Sequence, residues 1–262
     1  MLNGNIIVTA PSAWLGGGSK YLVGKRAVTN LSLTAPFVAI AGWCVMANGG
    51  HIRAEEPKNE RQFLCPDGMV GHLKKVLEGE YSIPYNEADA EGRSLLVLDV
   101  GANCGAFTVY AKLRWPNCEI DAYEPLEANH QFLFANTQDL KGVTRFQSAV
   151  GDPARDKLYF GKHNVGENSQ YQGNEQVDEY VEIDVVEPES LVSYDIVKLD
   201  CEGAEVYILA RLDLSETRYV MFEYHSERNR IACDAILTQQ GFSLIEMNVT
   251  SVGYGVAKYQ AQ

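Results

Sequence analysis

The chain has 262 residues, 46% of them hydrophobic, enough for one full α/β domain with an N-terminal extension. Its 35 acidic residues against 22 basic ones leave a net charge of -13, and no Lys/Arg run offsets it. That balance repels a phosphate backbone and disfavours a nucleic-acid partner.

Residues 1–67 read as an extension. Gly16, Gly17 and Gly18 resemble a phosphate loop only by glycine count, because no G-K-[ST] follows, so a turn is expected there. The stretch 33–47 is strongly apolar but shorter than the roughly 18 residues of a spanning helix. It also carries Pro36 and Gly42, so it is expected to be a buried or partner-facing element rather than a membrane or signal segment. Residues 51–60 are charged and read as a linker. Apolar residues at helical spacing predict a helix over 68–79.

From 94 onward strands and helices alternate. Strands are expected at 95–100, 119–123, 144–150, 180–185, 196–199 and 219–224, with a closing pair at 242–247 and 253–259. Helices are expected near 106–113, 126–136, 204–212 and 228–240. A polar excursion over 152–174 shows no apolar periodicity. This order predicts a doubly wound, seven-stranded, mostly parallel sheet over 68–262. Ligands of such sheets sit at the carboxyl ends of the strands. Here those ends hold Asp99 with Gly101, then Glu124, then Ser148, Ala149 and Val150, then Asp200, then Glu223 with His225.

The loop after the first of these strands reads Gly101-Ala-Asn-Cys-Gly-Ala106. Only the first glycine of a dinucleotide G-x-G-x-x-G is present, which argues against an NAD-dependent oxidoreductase. The loop fits instead the G-x-G-x-G of S-adenosylmethionine (SAM) enzymes, with Asn103 in the middle position, where left-handed backbone is tolerated. Tyr21 and Lys25 form a Tyr-x-x-x-Lys ahead of this loop, where a short-chain dehydrogenase would place it well after. Glu124 closes the next strand about twenty residues on, where a carboxylate can take both hydroxyls of a ribose.

The runs Val97-Leu-Asp-Val-Gly-Ala-Asn-Cys-Gly105, Tyr123-Glu-Pro125, Ala149-Val-Gly-Asp152, Ile196-Val-Lys-Leu-Asp-Cys-Glu-Gly-Ala-Glu205 and Phe222-Glu-Tyr-His225 together resemble the FkbM family of SAM-dependent methyltransferases. The likeness covers about 70–250. It implies transfer of a methyl group, most simply to oxygen, on a small-molecule, glycan or lipid-linked acceptor. By the same resemblance, Gly101, Asn103 and Gly105 shape the floor under the cofactor, and Glu124 holds its ribose. Ser148, Ala149 and Val150 flank the adenine, and Asp99 orients the loop or reaches the methionine amine. Asp200 binds that amine or orients the acceptor. Glu202 serves the site or caps the next helix, and Glu205 reads as structural. His225, at a strand end, is the candidate general base, imidazole being the side chain that titrates nearest neutrality; hydrogen-bonded structure is the bland alternative. His51, His72, His130 and His163 lack metal-ligand spacing, so no metal is expected.

Six scattered cysteines, Cys44, Cys65, Cys104, Cys118, Cys201 and Cys233, contain no C-x-x-C pair and point to reduced thiols in the cytoplasm. A non-catalytic binding subunit on the same fold is the remaining alternative.

Overall fold

The computed structural model describes residues 5–9, 38–40, 43–45, 60–65, 69–85, 93–160, 168–169 and 180–262. They belong to two compact units, Met1–Lys74 and Lys75–Gln262. In the first, β1 (Asn5–Thr9) pairs in parallel with β4 (Glu60–Leu64), and β2 (Val38–Ile40) pairs antiparallel with β3 (Trp43–Val45). Those two short strands are what the structure describes of the apolar stretch 33–47. The expected turn at 16–18 and residues 51–59 of the expected linker 51–60 lie outside the described residues, and Glu60 belongs to β4. Helix α1 (Val70–Leu77) forms where the helical spacing predicts it. Among the described residues no helix is long and apolar enough to cross a membrane.

The second unit opens with β5 (Leu96–Val100), α2 (Ala106–Arg114), β6 (Glu119–Tyr123), α3 (Glu127–Thr137) and β7 (Val143–Phe146). After the excursion come β13 (Ile196–Leu199), α4 (Glu205–Leu209), β14 (Tyr219–Tyr224), α5 (Glu227–Gln239), β15 (Phe242–Ser251) and β16 (Tyr254–Ala261). One seven-stranded sheet runs β15-β16-β14-β13-β5-β6-β7, and β16 alone runs against the others. The central strands are mostly apolar because both faces are covered. Ile196, Val197, Leu199, Val220, Met221 and Phe222 are all fully buried. The chain order reverses between β5 and β13, which opens the crevice above their carboxyl ends.

The predicted strand 144–150 is interrupted. Past β7, a short β8 (Ala149–Val150) leaves the main sheet and pairs with β12 (Val185–Val186). The excursion is also more ordered than its polarity suggests. Its β9 (Lys157–Phe160) is the middle strand of an antiparallel sheet between β10 (Asn168–Ser169) and β11 (Tyr180–Glu182). Residues 161–167 and 170–179 lie outside the described residues.

Candidate active site

Two charged residues stand inside the apolar centre of the sheet, and they face each other. Asp99 on β5 and Lys198 on β13 are register partners, and the Lys198 ammonium lies 3.1 Å from the Asp99 carboxylate with both side chains buried. The second Asp99 oxygen accepts a 2.7 Å hydrogen bond from the Thr108 hydroxyl. Lys198 also donates to the carbonyls of Gly101 at 2.8 Å and Val100 at 3.3 Å, so it pins the start of the loop. Burial alone would lower its pKa, but the Asp99 and Asp200 charges outweigh burial and raise it. Asp99 is therefore placed to orient the loop from below.

The loop glycines meet protein. Gly101 has φ 73, and a Cβ there would sit 1.8 Å from the Asp200 carbonyl oxygen. Gly105, at φ 87 ahead of α2, would press a Cβ to 2.9 Å from Leu133 on α3. Packing against a neighbouring strand end and a helix thus excludes a side chain at either glycine, beside their expected place under the cofactor. Gly101→Ala should therefore cost at least about 1–3 kcal/mol of stability, from left-handed backbone plus overpacking. A urea denaturation midpoint equal to the parent's would refute that account. Asn103 keeps φ 50 without being glycine.

Glu124 is the polar centre of the loop's other side. One carboxylate oxygen accepts from the Asn103 backbone N–H at 2.9 Å, and the other from the Leu126 N–H at 3.0 Å. Burial raises its pKa to about 7, against the lowering effect of those N–H donors. Ser148 and Ala149 are buried beyond β7, and Val150 joins the core around Leu98, Tyr123 and Leu199.

Across the crevice, Asp200 follows β13 and accepts from the Tyr81 hydroxyl at 3.4 Å. Glu202, held at φ 54, places a carboxylate oxygen 3.3 Å from His225 Nε2 just beyond β14. Asp200, Glu202 and His225 thus converge, each offering one donor atom within 4.8 Å of the others. Glu223 lies against Asp200 and is pushed far above the ordinary carboxylate range, first by burial and then by that neighbouring charge. Glu205 is fully buried and accepts from the backbone N–H groups of Cys201 and Gly203, both at 3.2 Å, so it braces the loop from within. Burial and Glu205 raise the pKa of the Cys201 thiol, which keeps it protonated.

Lys198, Tyr81 and Thr108 are given no role by the sequence, and Glu223 is named there only as a strand end. A lysine flanked by Ile196, Val197 and Leu199 in a buried strand is a signal, since such a charge needs a partner. Glu223 stands at a recognised strand end. Tyr81 carries no comparable mark.

The model of the methyltransferase FkbM domain matches residues 99–254, the span that contains this crevice. The chain belongs to the FkbM methyltransferase family. Among curated proteins, the FkbM chain is similar to the methyltransferase sdnD of Sordaria araneosa, with 24% identity over 231 residues, 71% of this chain and 84% of that protein. Solved structures similar to it include a precorrin-6y C5,15-methyltransferase from Geobacter metallireducens, at 12% identity and TM-score 0.44, over 76% of this chain and 94% of that one. The ribosomal protein L11 methylase of Lactobacillus delbrueckii subsp. bulgaricus matches at 11% identity and TM-score 0.46, over 81% and 91%.

Proposed function

We propose that this FkbM methyltransferase takes its methyl group from SAM and passes it to a hydroxyl of a small-molecule, glycan or lipid-linked acceptor. The observation that carries the reading is the pairing of Glu124 with the Asn103 N–H at the switch point of the sheet. A carboxylate offers about four acceptor sites, and here Asn103, Leu126 and Asn129 take three. One is therefore open to a ribose hydroxyl, and the second hydroxyl would replace the long 3.5 Å Asn129 contact. The glycine spacing of that loop speaks against NAD. The titratable corner of Asp200, Glu202 and His225 speaks against a purely binding subunit. The described cysteines Cys65, Cys104, Cys118, Cys201 and Cys233 form no disulfide, in keeping with a cytoplasmic protein.

The methyl of a sulfonium is already activated, so the protein has to align the two centres and take up the acceptor's proton. In this reading His225 takes that proton, held by Glu202 at 3.3 Å. S-adenosylhomocysteine should bind the full chain in calorimetry and NAD should not; the reverse result overturns the assignment. With labelled SAM and a panel of hydroxyl acceptors, His225→Ala should lower turnover about 10²–10⁴-fold, the range of a general base. Its affinity for S-adenosylhomocysteine should stay unchanged.

A further inference from the structure

The corner formed by Asp200, Glu202 and His225 has the composition of a cation site as well as that of a base. A six-coordinate ion with bonds of about 2.1 Å holds neighbouring donor atoms about 3 Å apart. His225 Nε2 and the Glu202 carboxylate oxygen are 3.3 Å apart, and Asp200 supplies a third donor within 4.8 Å. The side chains are 13%, 19% and 22% exposed for Asp200, Glu202 and His225, partly desolvated yet reachable from the crevice. Lys198 offsets only part of the corner's charge: it sits on Asp99 at 3.1 Å and on two loop carbonyls, and pairs more loosely with Asp200 at 3.8 Å, which Tyr81 and Glu223 also contact. The imidazole itself is incompletely matched. Its Nε2 is the nitrogen beside Glu202; Nδ1 is sealed from solvent with no hydrogen-bond partner among the described residues and is not part of the donor set.

We infer that Asp200, Glu202 and His225 bind a divalent first-row cation of the Mn²⁺ type at the acceptor side of the crevice. Two carboxylates and one imidazole form a donor set between the all-oxygen preference of Mg²⁺ and the nitrogen-rich preference of Zn²⁺. Three protein donors leave positions open for water and for an acceptor oxygen. The inference rests on the reading above for the acceptor's location and refines how its proton leaves. An ion held here would make His225 a ligand in place of the general base proposed above, and would acidify a bound hydroxyl so that its proton passes to solvent. The oxygen lone pair then forms the bond to the methyl carbon while the S–CH₃ electron pair returns to sulfur, leaving a neutral thioether. Chain spacing does not reveal this set, because its donors come from the ends of two different strands.

The test is a titration of Mn²⁺ into the chelator-treated full chain, with and without S-adenosylhomocysteine, read by calorimetry and by the paramagnetic resonance of free Mn²⁺. One saturable ion per chain is expected, with affinity about ten-fold or more weaker in Glu202→Gln and in His225→Ala. Circular dichroism checks that each variant is folded; should His225→Ala fail to fold, the near-isosteric Glu202→Gln decides. Absence of saturable Mn²⁺ binding, or binding that survives the folded variants unchanged, overturns the inference. If Mn²⁺ binds at this corner but S-adenosylhomocysteine does not bind, the cofactor reading fails and the cation site stands. If S-adenosylhomocysteine binds and Mn²⁺ does not, the cation site fails alone.

Discussion

Lys198→Met should destabilise the protein by about 3–5 kcal/mol, the usual loss when one partner of a buried ion pair is removed and the other stays charged. The pair is 3.1 Å apart with side chains only 3% and 0% exposed, so little solvent screening discounts the effect. The same change strips a donor from the Val100 and Gly101 carbonyls, so the cofactor loop should loosen too. Asp99→Asn in the Lys198→Met background keeps an acceptor for Thr108 while removing the stranded charge. It should recover part of the loss, and urea unfolding of both single variants and the double variant measures the coupling. Equal midpoints for the parent and Lys198→Met would show that the pair does not hold the two strand ends.

Affinity for S-adenosylhomocysteine should fall about ten-fold per pH unit as the pH drops below the Glu124 pKa, because one proton must leave before the ribose hydroxyls can donate to both oxygens. That pKa stands at about 7, raised by burial from 4.5. The sign follows from the two states. The folded, ligand-free protein holds this proton more tightly than the unfolded chain does. Glu124 therefore contributes stability that is full below the unfolded pKa and lost as pH rises through about 7. Ligand binding pulls the other way, favouring the ionised form and releasing a proton, visible as a heat that depends on buffer ionisation. Glu124→Gln should abolish the pH dependence. It should also cost about 1.5–3 kcal/mol of binding, the worth of hydrogen bonds to a charged group. A pH-independent affinity in the parent would move the ribose away from Glu124.

The legible part of the fold was the part made of mainly apolar runs. The strands 196–199 and 219–224 have the bounds that their sequences predict, because burial on both faces leaves one charged residue in each, Lys198 and Glu223. Strand 119–123 is matched although Glu119 is exposed and Asp121 half-buried. The β8–β12 ladder was hidden, as two residues give no period to read. Strand β9 was hidden for another reason: one partner, β11, begins only at Tyr180. In the site, Glu124 and Asp200 could be found because a strand end is a position the chain announces. The physical role of Gly101 could not, since the carbonyl that forbids its side chain belongs to Asp200, far along the chain.

The placement of β16 between β14 and β15 sets an order of events during synthesis. Strands β14 and β15 are not bonded to each other; both ladders run through residues 254–261, and Ala257 and Tyr259 of that strand complete the core. Until the ribosome has released those residues, β14 presents an unpaired apolar edge, and β15 has no neighbour to pair with. The nascent chain is thus prone to aggregation until residues 254–261 emerge. A stall or frameshift just past residue 250 would leave a chain that carries the 101–106 loop and whose sheet cannot close.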